Sequence, residues 1–62
     1  MNKHFLVVIV NNVDNSEIKD YIISARDWYY ASHIGASKFK NEQKYQPSLR
    51  KITNWYADSC EI

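Results

Sequence analysis

The run from Phe5 to Val10, Phe-Leu-Val-Val-Ile-Val, constrains this chain more than any other stretch, because it is apolar at every position and mostly β-branched. In a strand, successive side chains point to opposite faces. Phe5, Val7 and Ile9 then face one way and Leu6, Val8 and Val10 the other, so both faces want cover, as in a central strand. The β-branched residues, followed by Asn11-Asn12, favour a strand over a buried helical segment. The run falls well short of the ~20 residues of a membrane span. It is also short of the ~7–15 of a signal-peptide core, and no small-residue cleavage site follows it. The strand is expected over 4–11, after a short lead-in from Met1 to Lys3.

The chain has 62 residues, enough for a single small domain over 1–62. A domain of this size buries only about 60% of the surface its unfolded chain exposes, so its own core gives marginal stability. The single cysteine, Cys60, has no partner for an internal disulfide, and His4 and His33 alone do not make a zinc set. No cofactor or metal is expected. The additional stabilisation is expected from oligomerisation or a bound partner. One reduced cysteine and no signal peptide predict a cytoplasmic setting, and no membrane association is expected.

Val13-Asp14-Asn15-Ser16-Glu17-Ile18 reads as a helix start, with Asp14 as the cap, Glu17 completing a capping box and Val13 stapled onto Ile18. Ile18, Tyr21, Ile22, Ala25, Trp28, Tyr29 and Ser32 then follow at the helical period, and Gly35 supplies a C-terminal cap. These signals predict a helix over 15–34. A second apolar row, Ile23, Tyr30 and Ile34, interrupted by Asp27, gives that helix two things to touch. The second is the chain's own C-terminal segment, a twin subunit or a foreign partner.

Residues 35–46 read as a lysine-rich loop. Pro47 then favours a helix start, and Leu49, Ile52, Tyr56 and Cys60 recur at helical spacing. Ile52, Thr53, Trp55 and Tyr56 suit a strand equally well. The C-terminal segment over 47–60 is therefore expected as a helix or a second strand. The expectation is a small α+β fold of the broad α/β class, with an N-terminal strand, one long amphipathic helix and that C-terminal element. A lone strand leaves its backbone groups unpaired along both edges. Pairing of Phe5, Val7, Val8 and Ile9 with their copies about a two-fold axis would fill one edge per chain, which predicts a homodimer or higher oligomer.

Candidates for catalysis are few. Cys60 with His33 is a conceivable thiol–imidazole pair, and Asp20 and Asp27 stand a heptad apart, as solvated helix positions often do. With one glycine there is no phosphate-cradling loop. No enzyme is expected. Binding has more support. Tyr and Trp concentrate energy at protein interfaces, and aromatic residues make up 15% of the chain. Trp28, Tyr29 and Tyr56 are expected as core fillers. Ile23, Tyr30, Ile34 and Trp55 are expected to meet a protein partner.

The formal net charge of +1 excludes a strong overall field. Lys38, Lys40, Lys44, Arg50 and Lys51 with Tyr45 nevertheless form a basic segment that could contact phosphates, giving a nucleic-acid or nucleotide binder as the alternative. A small, aromatic-rich chain of this kind has the general character of phage or mobile-element proteins that bind and inhibit a host enzyme or defence factor. That likeness is one of size and composition, with no motif behind it.

Overall fold

The computed structural model describes residues 2–62; Met1 lies outside them. The chain forms β1 (Lys3–Asn11), β2 (Glu17–Ala25), α1 (Trp28–Tyr45), a one-turn α2 (Pro47–Arg50) and β3 (Trp55–Glu61). The strands make one antiparallel sheet in the order β2-β1-β3. β2, α1 and β3 thus form a β-α-β crossover with β1 inserted between its two strands. α1 lies across one face of the sheet and touches all three strands.

β1 takes the central place its sequence predicts. Both of its edges are filled from within the chain, by β2 in a register that pairs Phe5 with Ile23, and by β3 in one that pairs Phe5 with Glu61. The edge-to-edge pairing expected of Phe5, Val7, Val8 and Ile9 with a second copy therefore has no free hydrogen-bonding groups to use.

The helix expected over 15–34 is replaced by a turn, β2 and only the first part of α1. Asp14 does not cap a helix. Its Oδ1 accepts hydrogen bonds from the Ser16 hydroxyl at 2.7 Å and the Ser16 N–H at 3.0 Å, which hold its carboxyl below the usual range. Asn15 sits at φ 61°, a left-handed conformation that suits a turn and that asparagine tolerates. Asn15 N–H donates to the Asn11 carbonyl and Asn11 N–H to that of Ser16, both at 2.8 Å, closing the β1–β2 hairpin. From Lys19 onward the sequence alternates, with Lys19, Tyr21, Ile23 and Ala25 on the α1 side and Asp20, Ile22 and Ser24 on the other. A register shift between Ile9 and Val10 accommodates Ile18 as an extra residue. The helical spacing of Ile18, Tyr21, Ile22 and Ala25 was compatible with this strand all along, and the demand of β1 for a paired edge decides between the two.

α1 begins one element later than expected, at Asp27, whose side chain accepts from Tyr30 N–H at 2.9 Å. It continues as far as Tyr45, so the lysine-rich segment expected as a loop over 35–46 is helical in all but its last residue. It stops before Pro47, which forces Gln46 into an extended conformation. Its inner stripe is Ala31, Gly35 and Phe39, spaced one turn apart and fully or nearly fully buried. Gly35 caps nothing. A Cβ there would run into Val7 Cγ1 and lie 3.0 Å from Val7 Cβ, so glycine is what allows α1 to press onto the central strand.

The C-terminal segment resolves into the short α2 followed by the strand. Gln43 Nε2 donates to the carbonyls of Leu49 and Ile52, each at 3.0 Å, and so binds that connection to α1. Asn12 and Asn54 join the hairpin tip to the start of β3 through a backbone bond of 2.9 Å and a side-chain bond of 3.2 Å. On the α1 side, Ser59 Oγ donates to Trp28 O at 3.0 Å and stands 2.7 Å from Ser32 Oγ.

Candidate interaction surfaces

The sheet is covered on one face only. Under α1 lie Phe5, Val7, Ile9, Ile23 and Ala25, all buried. The other face is read from the register in four rows across β2, β1 and β3: Ser24 with His4; Ile22, Leu6 and Cys60; Asp20, Val8 and Asp58; and Glu17, Val10 and Tyr56. Leu6 and Val8 are half-buried and Val10 is buried, whereas Ile22 is 62% and Tyr56 43% exposed. No element of the described residues lies over this face. It is an apolar ridge along β1 with carboxylates on both sides.

The charge on the two sides of the molecule differs. No Lys or Arg stands in the rows of the open face, where Asp20 and Asp58 flank Val8 and Glu17 pairs with Val10. On the α1 side, Lys19 Nζ is bound to Glu42 at 2.9 Å and Tyr21 OH donates to the same carboxylate. The bond from Tyr21, then that from Lys19, holds the Glu42 carboxyl below its usual range. Burial, then the Glu42 carboxylate, raises the Tyr21 hydroxyl.

The residues expected at a partner surface are divided. Ile23 is core, at 4% exposed. Trp55 is half-buried with its ring edge-on to Phe39, 4.8 Å between centroids. Tyr30 and Ile34 line a hollow beside the free edge of β2, with Ser24, Ala25 and Arg26, and the Arg26 guanidinium lies 4.1 Å over the Tyr30 ring. These four therefore do not form a single exposed row. The aromatics expected in the core stand outside it: Trp28 is 64% and Tyr29 66% exposed.

Of the basic residues, Lys38 lines a second hollow along β2, with Tyr21, Ile23 and Glu42. Lys40, Lys44 and Tyr45 are exposed on the second half of α1, and Arg50 and Lys51 are exposed at the end of α2. Lys44 suits the negative end of the helix dipole, and that end does nothing to attract a phosphate. Cys60 lies on the open sheet face and His33 on an exposed turn of α1, with the sheet between them, so they form no thiol–imidazole pair. Asp20 and Asp27 are likewise apart, one on the sheet and one capping α1. Among the described residues no three His, Cys, Asp or Glu side chains gather as a metal site, and no helix is long and apolar enough to cross a membrane.

Compared with family models, curated proteins and solved structures, the chain matches none of them. The sequence predicted cover on both faces of this strand; the fold covers one, and the face of Leu6 and Val8 is left without an element over it. What the sequence did not show was that Asp20, Ile22 and Asp58 would lie beside them.

Proposed function

We propose that this is a non-enzymatic binding protein that acts by stoichiometric association with a protein partner, and that the open sheet face is the surface it uses. The observation that supports this reading is that β1 is apolar on both sides while the fold covers one. Leu6 and Val8, with Ile22 and Tyr56 at their flanks, form an accessible apolar strip of the kind that marks protein interfaces. A binder of this sort acts by occluding or holding its partner, which agrees with the inhibitor character suggested by size and composition. A reducing, cytoplasmic setting belongs to the same reading, because the lone Cys60 is exposed and carries no disulfide.

The test compares the wild type with a Val8→Ser, Ile22→Ser double variant as bait in lysate of the native host. The wild type should capture one protein in equimolar amount. The variant should capture none, while its melting temperature stays close to that of the wild type. The reading fails if the variant captures the same protein equally well, if the wild type captures no protein, or if it captures nucleic acid instead. Retention of nucleic acid, lost on changing Lys40 and Lys44 to Gln, would favour the basic segment.

A further inference from the structure

We infer that the open sheet face is the seat of a partner's amphipathic helix whose apolar stripe is flanked by lysines or arginines. The inference rests on the reading above and adds the kind of partner. Two features of the face support it, its width and its charge.

Strands in a sheet stand about 4.8 Å apart. Asp20 and Asp58 both pair with Val8, from opposite sides, so their Cα atoms are roughly 10 Å apart across β1. A helix with its side chains is about 10–12 Å wide. α1 already demonstrates the fit on the other face, where one helix reaches all three strands through the stripe Ala31, Gly35 and Phe39. A second helix laid along β1 would set its apolar stripe on Leu6 and Val8. Residues on its two flanks would then come over Asp20 and Asp58.

Those flanking positions select for charge. Among the described residues neither Asp20 nor Asp58 is in an ion pair, and both are exposed. The face offers carboxylates and no lysine or arginine, although the chain as a whole has a net charge of +1. Covering it with an uncharged or acidic helix would desolvate these carboxylates without compensation. A basic helix supplies the missing partners. A second copy of the chain does not: two such faces packed together would bring four aspartates into one interface with no Lys or Arg from either.

The experiment uses the purified protein and two synthetic peptides of about 18 residues, long enough to be substantially helical. Both carry a leucine stripe, flanked by Lys in one and by Glu in the other. Binding is followed by amide chemical shifts. The Lys peptide should bind at least about tenfold more tightly than the Glu peptide, as two added charge pairs allow. Shifts should concentrate at Leu6, Val8, Ile22 and Tyr56. In the Asp20→Asn, Asp58→Asn double variant the preference should disappear while apolar binding persists.

Equal affinities, preference for the Glu peptide, no binding, or shifts centred on α1 would each overturn the inference. So would shifts at the open face that follow the protein's own concentration, which would assign the face to a second copy. The wider reading of a protein-binding surface stands or falls separately, on the lysate comparison of wild type with the Val8, Ile22 variant.

Discussion

Under α1, Phe5, Val7 and Ile9 are exposed by 3%, 0% and 0%; on the opposite face Leu6 and Val8, which alternate with them along the same strand, remain half-buried, and Ile22 beside Leu6 is 62% exposed. The two sets are chemically alike, so hydrophobicity does not decide which becomes core. The covering element decides. α1 presents Ala31 and Gly35 at its centre, which lets the helix come close, and Phe39 at one end, which fills the space beside Trp55. The other face meets no such complement within the described residues. One strand thus builds the core with one side, while Leu6 and Val8 on the other stay half-buried.

The contrast predicts unequal responses to substitution. Phe39→Ala should remove about 3–5 kcal/mol, the range for truncating a buried aromatic. In so small a domain that is most of the stability, and thermal unfolding followed by circular dichroism should show a chain largely unfolded at room temperature. Retention of a cooperative melt would mean that the covered face is not the main source of stability.

Gly35→Ala comes next. The helix interior would gain up to about 1 kcal/mol from alanine, but the new methyl meets the branched, fully buried Val7. Overpacking costs about 1–3 kcal/mol, so a net loss is expected in chemical denaturation. A gain would show that α1 can lift away from β1.

Tyr21→Phe tests the rim of the covered face and should cost about 1 kcal/mol at neutral pH. The Glu42 carboxyl is lowered by its bonds from Tyr21 and Lys19, so its contribution is present above the ordinary glutamate pKa of about 4.3 and is lost as pH falls through the lower folded value. The Tyr21 hydroxyl is raised by burial and by Glu42, so its contribution is present below about pH 10 and is lost as pH rises further. The stability difference between wild type and Tyr21→Phe should therefore be widest between these limits and narrow beyond each. A difference that is flat with pH would dissociate the bond from folding.

The smallest effect is expected on the open face. Val8 is half-buried with no element over it, so Val8→Thr should change unfolding free energy by less than about 1 kcal/mol. A loss comparable to that at Phe39 would mean that Val8 is already packed within the monomer.

The sequence made the centre of the sheet legible, because six consecutive apolar, mostly β-branched residues suit a strand with neighbours at both edges, but the cover expected over both faces is present on one. It misled over 15–34, where Ile18, Tyr21, Ile22 and Ala25 recur at the helical period, whereas in β2 Tyr21 and Ala25 face α1, Ile22 faces the other way and Ile18 is the extra residue. The resolving clues were local but faint: Asn15 tolerates a left-handed turn, and Asp27 has the geometry of a cap for Tyr30, although it read as an interruption. The lysines of 38–44 suggested a loop, yet with Phe39 inward they simply occupy the outer sides of α1. The open face could be read only in half. Leu6, Val8 and Val10 are neighbours in sequence, whereas Asp20 and Asp58 reach Val8 from distant segments through pairing that no periodicity encodes.

That pairing has a bearing on biosynthesis. β1 is made before β3, so a nascent chain must carry Phe5 to Val10 with one bare edge until residues 55–61 emerge. During that interval it is a sticky template for other chains. Proteolytic clipping within β3 would recreate the same hazard in the finished protein. The steady level of this protein in a cell should therefore depend on holdase chaperones, and on the integrity of its last strand, more than its small size would suggest.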